Sequence, residues 1–145
     1  MDHLHYKSAI ELASLIRRKK IGALELLDHF LVRIDKYNPK LNAIIWLDKD
    51  KARKRAKTAD AALKKGKRLG PLHGVPMTIK ESYQIESSPT TWGVPAMKGN
   101  FAQQNAVSAQ QLLNAGLNIF GKTNVPIMLA DWQNYNAIYG PTRPR

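Results

Sequence analysis

The stretch Gly70-Pro71-Leu72-His73-Gly74-Val75-Pro76-Met77-Thr78-Ile79-Lys80-Glu81 decides how the rest of the chain is read. It opens on a Gly-Pro turn, passes a second turn pair at His73-Gly74, and then runs apolar through Val75, Met77 and Ile79. The alternation from Met77 to Glu81 has the period of a strand, with Met77, Ile79 and Glu81 on one face and Thr78 and Lys80 on the other. A lysine near the end of such a run has two explanations. In a basic chain the ordinary one is a strand emerging into water. The other is an amine held on a rigid strand where it can be desolvated and act as a base.

Composition bounds what surrounds this strand. With 145 residues, 43% of them hydrophobic, the chain is long enough and apolar enough for one domain with its own core. There is no cysteine, which excludes disulfides, thiol nucleophiles and cysteine–zinc sites. Met1 to Leu15 mix His, Asp, Lys and Glu among the apolar positions and contain no signal-peptide core. No run approaches the length that crosses a bilayer, so a cytoplasmic protein without a membrane partner is expected.

The net charge of +12 invites a nucleic-acid or anionic-membrane partner. Much of it lies between Lys49 and Arg68, where Ala52, Ala56, Ala59 and Leu63 recur at helical spacing among lysines and arginines. A helix with a solvated basic face accounts for that pattern. No aromatic residue in the segment could stack on bases, and nucleic acid is not expected as a partner.

In chain order, Ser8-Ala9-Ile10-Glu11 reads as a capping box, with Leu12, Leu15 and Ile16 on the apolar face of the helix it opens. Arg17 to Lys20 place cations at its carboxyl end, and Gly22 is expected to stop it. A second helix carries Leu27, Phe30, Leu31 and Ile34 and is expected to end at Asn38-Pro39. Leu41 to Leu47 suits a short strand, and the basic helix runs from about Asp48 to Gly66. Ser87 to Gly93 is loop chemistry, a helix spans about Asn105 to Ala115 with Gly116 after it, and Leu117, Ile119 and Phe120 make the next strand. His3 and His5 are expected to be exposed at a frayed terminus. Helix and strand signals alternate from Leu41 onward, which points to an α/β fold.

Gly70 to Glu81 resembles the segment that carries the catalytic lysine in the amidase signature family, whose members hydrolyse amide C–N bonds. The likeness extends to Leu41-Asn42-Ala43 after Asn38-Pro39, to Thr90-Thr91-Trp92-Gly93, to Ala115-Gly116, to Gly121-Lys122-Thr123-Asn124 and to Tyr139-Gly140-Pro141-Thr142, in the family's order and near its spacing. The resemblance implies the amino-terminal part of the amidase signature fold, with helices around an incomplete mixed sheet. The chain would be a single partial domain over 1–145, with a helical region over about 1–66 and an α/β portion over about 67–145.

The resemblance also implies a mechanism: a serine nucleophile, a second serine in a cis peptide bond, and a lysine that takes the nucleophile's proton through the bridging serine. Lys80 matches that lysine. Free lysine titrates near about 10.4, so a lysine base needs burial or neighbouring cations, and burial beside Ile79 is expected to supply this. Glu81 stands where the family usually has aspartate, and it is expected to point away from Lys80. Lys122 is given a structural place beside the site and no proton-transfer role. Neither family serine has a counterpart here, because Ser8, Ser82, Ser87, Ser88 and Ser108 lie in other contexts and Arg143-Pro144-Arg145 departs from the pattern. The oxyanion donors that the family takes from the same following stretch are missing with them. The chain alone is therefore expected to be inactive, as a gene fragment, an artificial piece or a true short product.

Gly116-Leu117-Asn118-Ile119-Phe120-Gly121-Lys122-Thr123 also satisfies the P-loop pattern G-x-x-x-x-G-K-[ST]. That motif requires a loop between strand and helix. Here a helix precedes the first glycine and an apolar strand fills the interval, so the P-loop nucleotidase reading is rejected. A non-catalytic basic binding module is the other alternative. No cofactor and no metal is implied, since His3, His5, His29 and His73 form no metal-binding pair. A small-molecule amide is the substrate expected for the family. Self-association through unpaired sheet edges is expected of the chain by itself.

Overall fold

The computed structural model describes residues 3–143; Met1, Asp2, Pro144 and Arg145, which the readings of both termini take in, lie outside the described residues. Among the described residues four α-helices and three strands follow one another as α1 (Ala9–Arg17), α2 (Ala23–Leu41), β1 (Ile44–Leu47), α3 (Lys49–Lys64), β2 (Pro76–Lys80), α4 (Val107–Asn114) and β3 (Asn118–Thr123). The strand order is β1-β3-β2, with β1 antiparallel to β3. Amide–carbonyl bonds from Asn118 to Val75 and from Glu81 to Thr123 advance together along β2 and β3, which makes that pair parallel. The result is the α/β fold with a small open mixed sheet that the resemblance implies.

The chain forms two compact units, one of Met1–Arg33, Asp48–Met77 and Gln111–Phe120, the other of Ile34–Leu47, Thr78–Gln110 and Gly121–Arg145. In the first unit, α1 begins as its sequence dictates. The Ser8 hydroxyl accepts from the Glu11 amide, and the Glu11 carboxylate accepts from the Ser8 amide at 2.8 Å. Leu12, Ala13 and Ile16 are the buried face of this helix. Helix α1 ends at Arg17, and the chain turns at Lys19, whose φ is 55°. Gly22, expected to stop α1, instead precedes α2, and its amide reaches the Glu25 carboxylate at 3.4 Å. That is half of a capping box without the usual Ser or Thr.

Asp60, on α3, supplies the other half. Its two oxygens accept from the Ala23 and Leu24 amides at 2.7 and 3.1 Å, covering the free N–H groups and positive dipole end of α2. Ala52, Ala56 and Ala59 of α3 are buried as the helical spacing requires, while Lys51, Lys54, Lys57, Lys64 and Lys65 are exposed. Asp60→Ala is expected to lower stability by about 1–2 kcal/mol, read from urea unfolding midpoints, and Asp60→Asn by less.

His73 anchors the turn before β2. Its Nδ1 accepts from the Leu69 amide at 2.9 Å, so Nε2 carries the proton and donates to the Ala59 carbonyl at 3.0 Å. Gly74 (φ 76°) must be glycine, since a Cβ there would stand 2.7 Å from the Ala23 methyl. His5, expected to be exposed, is half-buried, because its ring packs 6.0 Å from that of His29 and 4.2 Å from that of Tyr6.

In the second unit, α2 passes through Pro39 instead of ending there. Pro39 lies in the last turn, where few helical bonds remain to lose. Asn42 stops the helix: it adopts φ 51° and its amide bonds the Asn38 carbonyl at 2.7 Å. The Asn38 side chain then holds the first residues of β1, accepting from the Ala43 and Ile44 amides at 3.0 and 2.8 Å.

Candidate active site

Lys80 is the last residue of β2, and period two sets its environment apart from its neighbours'. Ile79 and Glu81 are buried, Met77 is half-buried, and Lys80 is exposed. The expected burial of Lys80 is therefore not found. Its amine stands on the open side of the sheet end, where a cavity of about 530 Å³ is lined by Lys80, Tyr83, Gln84, Trp92 and Leu129, with the hydroxyls of Ser82 and Ser108.

Glu81 turns the other way and is wholly buried. Its Oε1 accepts from the Thr91 amide, from Thr91 Oγ1 at 2.7 Å and from the Tyr139 hydroxyl at 2.9 Å. Its Oε2 accepts from the Trp92 amide at 3.0 Å. Burial, reinforced by this carboxylate, pushes the Tyr139 phenol up to about 12. Among the described residues Glu81 makes no ion pair with Lys80, as the alternation requires.

Lys122, on β3, is fully buried. Its Nζ donates to the Glu81 carbonyl at 2.9 Å, to Thr90 Oγ1 at 2.9 Å and to the Pro89 carbonyl at 2.5 Å, so each ammonium proton has an acceptor. Burial pushes its pKa down to about 8 against the opposing pull of the Glu81 charge. The segment from Asn118 to Thr123 is strand, directly after the turn at Gly116, and Lys122 is committed to protein carbonyls. No phosphate-cradling loop exists between the two glycines.

Three of the short motifs, far apart in sequence, are bonded to one another. Asn42 Nδ2 donates to the Tyr139 and Pro141 carbonyls at 2.7 and 3.1 Å, and Thr142 Oγ1 donates to the Asn42 carbonyl at 2.9 Å. Asn124 Nδ2 reaches the Gly140 carbonyl at 2.9 Å, while the Asn124 amide bonds the Ala43 carbonyl at 2.9 Å. Asn136 completes the set, donating to Asn124 Oδ1 at 3.0 Å and accepting from the Ile138 and Tyr139 amides. These side chains tie the three motifs to one another through their backbones.

Backbone strain collects on the other wall of the cavity. Trp92, Met128 and Leu129 all have positive φ, at 55°, 53° and 61°, without being glycine. Each such residue costs on the order of 1–3 kcal/mol and persists only where its surroundings hold it, a habit of functional sites. The Met128 amide donates to the Trp92 carbonyl at 2.8 Å, so the two turns are tied together. The sequence contained Thr91, Trp92 and Tyr139 among its motifs, but nothing in one dimension assigned them to the Glu81 carboxylate.

The Amidase family profile matches residues 25–144. An acylamidase of Rhodococcus erythropolis is 36% identical over 141 residues, which is 97% of this chain and 30% of the relative. A glutamyl-tRNA(Gln) amidotransferase component from Acidothermus cellulolyticus is 35% identical over 99% of this chain and 28% of its own length. Among solved structures, fatty acid amide hydrolase superposes with a TM-score of 0.89 at 28% identity, covering 94% of this chain and 24% of that one. The chain thus spans about three-tenths or less of the length of these relatives. Lys80, the Glu81 hub and the bonded motifs around Asn42 and Asn124 all lie inside the matched stretch, and the chain belongs to the amidase family.

Proposed function

We propose that this chain supplies the lysine of an amidase that hydrolyses linear carboxylic amides, with Lys80 as the base once residues beyond this stretch cover its exposed amine and supply the desolvation a lysine base needs. The observation that carries the reading is the position of Lys80: the last residue of β2, its amine free on the cavity side, on a strand whose next residue is locked on the other side. On the family's scheme a serine hydroxyl would be activated through a bridging serine, and neither serine is among the residues matched here. The whole chain, 1–145, is then one partial amidase domain. Its proposed setting is the cytoplasm; among the described residues no helix is long and apolar enough to cross a membrane.

The protein that tests this reading continues the chain through the glycine- and serine-rich stretch of the family. It is expected to hydrolyse simple aliphatic or aromatic amides, whereas the chain by itself releases no ammonia or amine. Lysine-dependent turnover by the 145-residue chain alone would overturn the division of labour. A second reading follows from the amidotransferase relative: a component that takes ammonia from an amide for transfer. Glutamine hydrolysis in preference to aryl amides by the continued protein would select it.

Self-association is proposed for the isolated chain. Met128, Trp132 and Tyr135 are 60, 101 and 52% exposed within one short segment, and β1 and β2 are sheet edges. Sedimentation velocity is expected to show oligomers that dissociate on dilution. A monomer with a sharp cooperative melt and no binding of a hydrophobic dye would contradict it.

A further inference from the structure

We infer that Glu81 is a positioning residue: its buried carboxylate fixes the Thr91–Trp92 turn and so sets the wall of the cavity that Lys80 enters. The inference rests on the reading of Lys80 as the base, and it adds a second task to the residue beside it. A buried carboxylate is a costly way to fill space, and an apolar side chain would pack the same volume without a desolvation penalty. What a carboxylate offers is several directed, charge-assisted bonds from one rigid group. Glu81 uses that capacity fully. Both oxygens are engaged, by the Thr91 amide and hydroxyl, the Tyr139 hydroxyl and the Trp92 amide.

The main chain of Glu81 is pinned as well, since Lys122 Nζ donates to its carbonyl at 2.9 Å. Glu81 therefore has little freedom at either end. One end is the peptide that carries Lys80. The other is the turn that carries Trp92, which lines the same cavity. Trp92 occupies the left-handed region at φ 55° without being glycine, so something must hold it there, and the bond from its own amide to Glu81 Oε2 does so. The restraint passes on through the Trp92 carbonyl to the Met128 amide at 2.8 Å, and from there to Leu129 on the same wall. The distance between Lys80 and the Trp92 wall is thereby fixed by one side chain.

The test reads Trp92 directly and needs no catalysis. The chain has three tryptophans, Trp46, Trp92 and Trp132, so Trp46→Phe with Trp132→Phe leaves Trp92 as the only indole. In that background Glu81→Gln, which puts an N–H where an acceptor is required, is expected to raise acrylamide quenching of Trp92 about twofold and to shift its emission to the red. In a parallel background with only Trp46, the same substitution is expected to leave quenching unchanged. A merely structural loss would move both tryptophans. Thr91→Val, which removes the hydroxyl's bond to Glu81 and its acceptance from the Gly93 amide but leaves the carboxylate and its bond from the Trp92 amide in place, is expected to give a smaller rise at Trp92 and serves where Glu81→Gln does not fold. Unchanged Trp92 quenching in either folded variant, or equal changes at Trp46 and Trp92, overturns the inference. Failure of the continued protein to hydrolyse amides overturns the base assignment of Lys80 while leaving the Trp92 result to stand or fall separately.

Discussion

Lys80→Ala, in a protein that continues this chain through the family's serine-bearing stretch, is expected to lower kcat for amide hydrolysis by roughly a thousandfold or more. A positioned base contributes factors of this size alone, and members of a catalytic unit lose more than their share when one is removed. The loss is expected without a loss of fold. Lys80 is exposed and its amine makes no hydrogen bond to the described residues, and substitutions at such positions change stability by about 0.5 kcal/mol or less. The diagnostic pattern is a collapsed kcat with an unfolding midpoint close to that of the parent. If kcat persists, Lys80 is a solvated strand end, the ordinary fate of a lysine in a chain of this charge. If kcat and stability fall together, the residue is structural.

Lys122→Ala is expected to do the opposite. It would delete the donor to the Glu81 and Pro89 carbonyls and to Thr90 Oγ1, leave them unpaired in a buried site, and open a cavity. A destabilisation of about 3–5 kcal/mol is expected, with Lys122→Met recovering the volume but not the bonds. Where the alanine variant still folds, its kcat should fall far less than that of Lys80→Ala.

The same lysine gives a pH signature. Its pKa is about 8 in the folded chain, below the unfolded value, so between those two values the unfolded chain binds more protons and stability rises with pH. Below about 8 the amine is charged in both states and its contribution is flat. Tyr139 opposes the trend at higher pH. Its folded pKa, about 12, lies above the unfolded value, so the folded chain holds a proton that the unfolded chain releases, and stability falls as pH climbs toward 12. Urea midpoints measured across this range should rise and then fall, Lys122→Met should remove the rise, and Tyr139→Phe should remove the fall. A flat profile in the parent chain would contradict both assignments.

Local signals announced the elements of this fold. Ser8 and Glu11 formed the capping box their spacing describes, the alanines of α3 faced inward, and the alternation in β2 put Ile79 and Glu81 on the buried side. The sequence could not show what depended on distant partners. Pro39 looked like a helix end because proline breaks helices, yet Asn42 set the boundary. Gly22 looked like a stop signal until Asp60, far along the chain, proved to be the missing cap of the helix that Gly22 begins. The burial of Lys122 was equally hidden. A lysine in a basic chain has no local mark of being enclosed, and only the carbonyls of Glu81 and Pro89 reveal why it can be.

The bonds that join Asn42 to the Tyr139 and Pro141 carbonyls span 97 and 99 residues, whereas the capping box of α1 spans three. Loop closure costs about 0.6 kcal/mol more for each doubling of separation, or roughly 3 kcal/mol across that difference. Such contacts form only after more local structure has shortened the path between their ends. During synthesis α1 can leave the ribosome and coil with its own capping box in hand, whereas α2 waits for Asp60 to emerge. The Asn42 corner must wait for residues 139–142 to emerge, so the second unit closes only after the chain has been made through Thr142.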